Sequence, residues 1–163
     1  SLFLSLFLIA CSHKGTVDTK TTSKQQGYPI GIVNLQVKGD QTTEALLLKM
    51  EKYVSMASSQ NARAILFPEL VTFDLLPRNP DDKKLPLLLS QLAAKKNEYE
   101  KGISQLARKY NIMIVGANHY IQKKKGFINR AYIVRSNGKV EYQDKIYKNM
   151  TFSSGQNFSH TES

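Results

Sequence analysis

Apolar positions recur along the chain with two different periods, which predicts both strands and helices. Residues 28–37, YPIGIVNLQV, are apolar and β-branched on both faces and predict a strand that its sheet buries on both sides. A helical period within 42–60 predicts a helix whose inner face carries Leu46, Leu47, Met50, Val54 and Ala57. Residues 62–69, ARAILFPE, then predict a second buried strand.

The chain from residue 70 to residue 96 has no clear period. It contains three prolines and a leucine cluster at 85–89, and it is longer than structureless connections usually are. Three interpretations stay open: a substrate lid in which Leu75, Leu76 and the leucine cluster cap a pocket, an oligomer contact, or a short helix at 86–95.

The remaining pattern predicts one more helix and three strands. Residues 97–110 place Tyr99, Ile103, Leu106 and Tyr110 on one helical face, and residues 111–118, NIMIVGAN, predict a third buried strand. Residues 127–136 and 139–145 flank Asn137-Gly138, a strong hairpin signal. The order β-α-β-loop-α-β-β-β predicts an α/β domain with a mixed β-sheet and covering helices, both faces of the sheet being covered at its start.

An apolar run opens the chain and ends at its single cysteine. SLFLSLFLIAC is too short for a stable transmembrane helix and suits the hydrophobic region of a secretory signal. Its end, Leu8-Ile9-Ala10-Cys11, resembles the bacterial lipoprotein signal, in which the cysteine is lipidated. We therefore expect a lipoprotein-type signal segment at 1–11, a flexible tether at 12–27, and a folded domain at 28–163 that is truncated at its C-terminus. The alternative is a buried strand or helix with an inert Cys11.

The chain is basic, with a net charge of +10 from 23 Lys+Arg against 13 Asp+Glu. Such a charge makes nucleic acid or an anionic membrane surface a candidate partner. The lysine clusters at 83–84, 95–96 and 123–125 are short, lie in predicted loops or turns, and lack interleaved aromatic residues. They favour solvated faces, and we expect no nucleic-acid partner.

Two ionisable residues follow predicted strands directly. Glu69 comes after the second strand and Lys145 after the last one. Ligands of α/β sheets gather outside the carboxyl ends of the strands, where a carboxylate could move protons and an amine could stabilise negative charge. The residues alone leave open a structural ion pair or two independent surface groups. His119 follows a third strand and could line the same pocket, although a structural hydrogen-bonding role is favoured.

Four segments together resemble the nitrilase, or carbon–nitrogen hydrolase, superfamily. They are GIVNLQV with the helix after it, NARAILFPEL, NIMIVGAN, and FINRAYIVRSNGKVEYQDKIY, and they span about Tyr28 to Tyr147. The resemblance implies an α-β-β-α sandwich, of which this chain is the N-terminal half, and a Glu-Lys-Cys catalytic set. Glu69 matches the general base and Lys145 matches the lysine. The family's cysteine would lie beyond Ser163, and Cys11 cannot replace it because it precedes the first strand.

The resemblance also implies a reaction, which is hydrolysis of a small amide or nitrile without a metal or an organic cofactor. A metal site has little support from the sequence either, because three His and one Cys are widely scattered. A homo-oligomer is plausible, and the signal segment adds membrane anchoring in the bacterial cell envelope, outside the cytoplasm. The alternatives are an inactive envelope lipoprotein with a binding or scaffold domain, and an N-acyltransferase that uses the same residues. The chain by itself is expected to be inactive and to expose an apolar sheet face.

The chain departs from the family pattern at three places. Val71-Thr72-Phe73-Asp74 stands where an aromatic residue often follows the glutamate in a TGY-like turn, and Phe73 can fill that role. Tyr147 occupies a position where histidine is common, and Gln156 is the nearest counterpart of a further glutamate. These departures leave the substrate open.

Overall fold

The computed structural model describes residues 27–79, 84–124 and 126–145. The expectations for Cys11, Tyr147 and Gln156, and for nearly all of the tether, lie outside these residues. In chain order the elements are β1 (Ile30–Ile32), α1 (Thr43–Ser59), β2 (Ala64–Leu66), a 3₁₀ helix (Val71–Leu75), α2 (Leu85–Ala94), α3 (Lys96–Tyr110), β3 (Met113–Gln122), β4 (Phe127–Val134) and β5 (Val140–Asp144).

The strands form one five-stranded sheet in the order β1-β2-β3-β4-β5. The pairs β1–β2 and β2–β3 are parallel, whereas β3–β4 and β4–β5 are antiparallel. The predicted α/β class with a mixed sheet is thus confirmed. Because only β4 runs in the opposite direction, the carboxyl ends of β2, β3 and β5 lie at the same edge of the sheet.

The helices α1 and α3 cover one face of this sheet. Helix α1 begins where the Thr42 hydroxyl accepts a hydrogen bond from the Ala45 N–H at 3.1 Å, a typical N-cap. Helix α3 ends at Tyr110 and is followed by Asn111, whose left-handed conformation suits a C-terminal cap. The side chains at helical spacing are buried as predicted, among them Leu46, Met50, Val54, Ala57, Tyr99 and Ile103. They pack on Ile65, Ile114, Tyr132 and Val134 of the sheet.

The opposite face of the sheet is open at β1 and β2, which corrects the expectation that both faces are covered at its start. Strand β1 is shorter than predicted, and Ile30 and Ile32 are 55% and 68% exposed. Leu66 of β2 is also exposed, and it pairs in register with Ile32 and with Val115 of β3. Since paired residues share a face, these side chains form a continuous apolar surface, as expected for the chain by itself.

The described residues of the segment that lacked a clear period are largely helical. It contains the 3₁₀ helix and α2, so the short-helix interpretation is the one that the structure supports. Buried leucines of α2 form a second apolar cluster with Leu76 and with Phe73, Tyr120 and Phe127. No helix in the described part of the chain is long and apolar enough to cross a bilayer.

Candidate active site

Glu69 lies on the connection that leaves β2 and passes close over β3. The Phe67 N–H donates to the Val115 carbonyl at 2.9 Å, which extends the pairing of β2 with β3 by one residue. The register of β3 with β4 shifts between Gly116 and His119, as in a β-bulge. Gly116 has φ +82°, and a Cβ there would lie 2.3 Å from the Phe67 carbonyl oxygen. Only glycine lets the chain approach so closely, and the bulge thereby sets the path that carries Glu69 past β3.

The chain after Glu69 is fixed at two further points. The Thr72 hydroxyl donates to the Asn118 carbonyl at 2.9 Å, which ties the 3₁₀ helix to β3. Asp74 is fully buried, accepts hydrogen bonds from the Lys38 and Gly39 N–H groups, and forms an ion pair with Lys49. Although burial itself opposes ionisation, these donors together hold the pKa of the Asp74 carboxyl below its usual value. The chain is therefore fixed before Glu69, at Phe67, and after it, at Thr72 and Asp74.

Lys145 follows β5 at the same edge of the sheet. Its N–H donates to the Asn129 carbonyl at 2.8 Å, and its Nζ lies 2.7 Å from Glu69 Oε1. The structure thus brings together the two residues that the sequence predicted from separate strand ends.

The residue before Lys145 is held on the helix-covered side of the sheet. Asp144 accepts hydrogen bonds from Arg130 Nε at 2.6 Å and Nη2 at 3.0 Å, and Lys123 lies 3.5 Å away. The Arg130 guanidinium keeps the pKa of the Asp144 carboxyl below its ordinary range and lies over the Tyr142 ring, 3.4 Å from its centroid. Because neighbouring side chains of a strand point to opposite faces, this anchor directs Lys145 to the open side.

Two asparagines complete the cluster. Asn129 Nδ2 donates to Glu69 Oε1 at 2.7 Å, and Asn118 Nδ2 donates to Asn129 Oδ1 at 3.1 Å. Sequence reasoning missed both, although each stands in a segment that carried the resemblance. The available signal was an amide side chain in each of two mainly apolar strands, where a buried polar group needs a partner.

An open cavity of about 350 Å³ lies beside this cluster and is lined by Glu69, Asn118, Ala131, Gln143 and Lys145. Ala131 and Gln143 are cross-strand partners, and Ala131 points away from the helix-covered side, where its neighbour Tyr132 meets Tyr99. The cavity therefore faces the open side of the sheet. None of the leucines proposed as a lid lines it. A carboxylate and an ammonium group in contact beside a small cavity can move a proton and stabilise an anion.

His119 does not line the cavity. It is fully buried on the helix-covered side, stacked on Tyr99 with ring centroids 5.3 Å apart. By strict geometry neither ring nitrogen has a hydrogen-bond partner among the described residues, but the Leu92 backbone lies close enough to favour the protonated ring, so the hydrogen-bonding role stays a prediction. Burial lowers the pKa of His119 to about 4, and the ring is therefore neutral near pH 7.

The part of the chain that the structure describes holds no group of three His, Cys, Asp or Glu residues able to bind a metal ion.

Comparison with known proteins gives this geometry a context. The sequence model of the family described as "Carbon-nitrogen hydrolase" matches residues 30–163. The chain is also similar to "Probable hydrolase YhcX" of Bacillus subtilis (strain 168), with 26% identity over 125 residues, which are 76% of this chain and 24% of that protein.

Solved structures show the same fold. An amidase from Nesterenkonia sp. aligns with a TM-score of 0.56 and 19% identity, covering 78% of this chain and 48% of that one. A carbon–nitrogen hydrolase from Helicobacter pylori G27 aligns with a TM-score of 0.55 and 16% identity, covering 77% and 41%. The chain thus spans a quarter of the curated relative and less than half of each solved structure.

Proposed function

The chain belongs to the carbon–nitrogen hydrolase family, and from this premise we propose that the full-length protein hydrolyses a carbon–nitrogen bond in a small amide or nitrile. The observation that carries the proposal is the 2.7 Å contact between Glu69 Oε1 and Lys145 Nζ beside the open cavity. The Glu–Lys pair is the part of the implied Glu-Lys-Cys set that this chain contains. The amidase from Nesterenkonia sp. is similar in fold, and amidase activity of this protein is part of the proposal.

The proposed reaction uses a cysteine thiol that this chain does not provide in its folded domain. Glu69 takes the thiol proton while the sulfur attacks the carbonyl or nitrile carbon, which forms a covalent intermediate. Lys145 stabilises the negative charge that develops on the substrate. With an amide, Glu69 then gives this proton to the departing ammonia or amine as the carbon–nitrogen bond breaks and a thioester remains. With a nitrile, the attack gives a thioimidate, and a water molecule adds to its carbon before ammonia leaves in the same way. Finally Glu69 activates the water that releases the acid and restores the thiol.

The open face of the sheet supports this arrangement. The cavity opens to the same side as the apolar surface of Ile30, Ile32 and Leu66. In the implied α-β-β-α sandwich a second sheet packs on this side. A cysteine at a strand end of that sheet would meet Glu69 and Lys145 across the cavity.

The experiment is a screen of the full-length protein against small amides and nitriles, with ammonia release as the readout. Glu69→Gln and Lys145→Ala should each lower the rate by about 10²–10³ or more, the usual loss when a group that stabilises the transition state is removed. Glu98→Gln and Lys101→Ala are matched controls, because both residues are exposed on α3, and they should retain the parent rate. Parent turnover in Glu69→Gln or Lys145→Ala would contradict the assignment.

The same assay separates the alternative functions. With hydroxylamine added, a hydroxamate product formed in preference to the free acid would indicate acyl transfer. A full-length sequence without a cysteine after Ser163 would indicate a binding or scaffold domain.

We further propose that Cys11 anchors the protein in the bacterial cell envelope through a lipid. The support is the run Leu8-Ile9-Ala10-Cys11, and stable attachment would need more than one acyl chain. Labelling with a palmitate analogue should mark the parent protein and not Cys11→Ser. Undiminished labelling of the variant would remove the proposal.

A further inference from the structure

We propose that Asn129 is a positioning residue that orients the Glu69 carboxylate, and that Asn118 fixes the direction in which Asn129 acts. The proposal deepens the proposed function and rests on it, because it assigns how the general base is held. It follows from a chain of hydrogen bonds that runs from β3 through β4 to Glu69.

The hydrogen bonds of this chain have one direction. Asn118 Nδ2 donates to Asn129 Oδ1 at 3.1 Å, and Asn129 Nδ2 donates to Glu69 Oε1 at 2.7 Å. An asparagine amide has a donor end and an acceptor end. Since Asn118 supplies a donor, it selects the orientation in which the donor end of Asn129 meets the carboxylate. The reversed amide would turn Oδ1 towards Glu69 and place two acceptors together.

The side chain of Asn129 and the backbone of Asn118 are fixed by their surroundings. Asn129 is 8% exposed, so its side chain has little room to change rotamer. Its carbonyl accepts the Lys145 N–H at 2.8 Å, and one residue thereby locates both members of the proposed pair. The Asn118 carbonyl accepts the Thr72 hydroxyl at 2.9 Å, which ties the start of the chain of hydrogen bonds to the segment that carries Glu69.

Glu69 needs such restraint because its side chain is 48% exposed. A carboxylate in that position would otherwise rotate among several orientations. Lys145 and Asn129 both donate to Oε1. The carboxylate is thus held through Oε1, and we assign the exchange of the thiol proton to Oε2. Because a small misplacement of a reacting group slows a reaction by a large factor, loss of the hydrogen bond from Asn129 should slow the activation of the thiol.

The test measures thiol activation and requires no knowledge of the substrate. In the full-length protein with the Cys11→Ser background, iodoacetamide alkylates the thiol of the proposed nucleophile, and mass spectrometry locates and times the reaction. Asn129→Asp keeps the shape, the acceptor for Asn118 and the backbone carbonyl, but it replaces the donor to Glu69 with an acceptor. It should slow alkylation about tenfold or more. Asn97→Asp, the same substitution at an exposed position of α3, should leave the rate unchanged.

Circular dichroism and the melting temperature separate positioning from structural support. A purely structural role would lower the melting temperature of Asn129→Asp and leave the alkylation rate of the folded protein at the parent value. If Asn129→Asp does not fold, Asn118→Asp decides, since Asn118 is only half-buried and its loss releases the direction of Asn129. It should also slow alkylation, by a smaller factor.

Each outcome has one reading. Slower alkylation in Glu69→Gln and in Asn129→Asp, or in Asn118→Asp as its substitute, supports the inference. Slower alkylation in Glu69→Gln together with the parent rate in the asparagine variant overturns the inference and leaves the proposed function standing. The parent rate in Glu69→Gln overturns both.

Discussion

Replacing Gly116 by alanine tests how the bulge in β3 positions the catalytic segment. At φ +82° an alanine adopts the left-handed region, which costs about 1–2 kcal/mol. Its Cβ would lie 2.3 Å from the Phe67 carbonyl oxygen, and the oxygen would have to move by roughly 1 Å to reach van der Waals distance. That movement strains the hydrogen bond from the Phe67 N–H to Val115, worth about 1 kcal/mol.

The sum predicts a loss of about 2–3 kcal/mol in the free energy of unfolding. Urea denaturation of the full-length protein measures this loss as a lower midpoint at an unchanged slope. In a domain of this size or larger the melting temperature should fall by roughly 4–12 °C. Glu69 lies two residues after Phe67, so the same movement should also separate it from Asn129 and slow the thiol alkylation described above.

Two other glycines provide graded controls. A Cβ at Gly27 meets nothing within 4 Å, and Gly27→Ala should change stability by less than about 0.5 kcal/mol. Gly138 has φ +83°, but the atoms a Cβ would meet belong to the flexible Arg108 side chain, so Gly138→Ala should cost about 1 kcal/mol. If Gly116→Ala is no less stable than Gly27→Ala, the close approach of the chain to the bulge does not constrain the site.

Three further predictions concern the core and the open face. The pKa of His119 is about 4 in the folded protein, against an ordinary value of 6.5, so the free energy of unfolding should fall by about 1.4 kcal/mol per pH unit as the pH drops from 6.5 to 4. Denaturation curves of His119→Phe at several pH values should lack this part of the acid sensitivity. The same pH dependence in the variant and the parent would contradict the prediction. Asp74→Asn leaves Lys49 without its buried partner and should lower the free energy of unfolding by about 2–4 kcal/mol, whereas the exposed Asp40→Asn should lower it by less than about 0.5 kcal/mol. Equal urea midpoints for the two variants would show that the ion pair of Asp74 with Lys49 does not hold the 3₁₀ helix. The 163-residue chain by itself should bind a hydrophobic dye and self-associate, and Ile32→Lys should reduce both in fluorescence and light-scattering assays, unless the apolar face is covered in solution.

The sequence was sufficient where the signal is local. Helical spacing of Leu46, Met50, Val54 and Ala57 predicted α1 because those residues share one side of a helix. Asn137-Gly138 predicted the hairpin because few residue pairs adopt its turn without strain. The position of Glu69 and Lys145 directly after strands placed both at one edge of the sheet, since strand direction follows from the order of elements.

Other features required information that no single segment contains. The sequence of β1 is apolar on both faces, yet Ile30 and Ile32 are exposed, because burial depends on what packs against a face. The sequence of the α2 leucines fits a lid and a packed helix equally well. Their contacts with Leu76 in the structure show that they are packed. His119 stood at a strand end, but the bulge before it turned its ring to the helix-covered side.

The candidate site shows the same division. The sequence by itself determined the chemical types of Glu69 and Lys145 and the edge of the sheet where each lies. Only the tertiary structure decided that their charged atoms lie 2.7 Å apart and that Asn129 joins them. The reason is physical: a hydrogen bond between residues 60 positions apart depends on the positions of all the strands between them. Here those positions depend on the bulge at Gly116, where the chain passes close to Phe67.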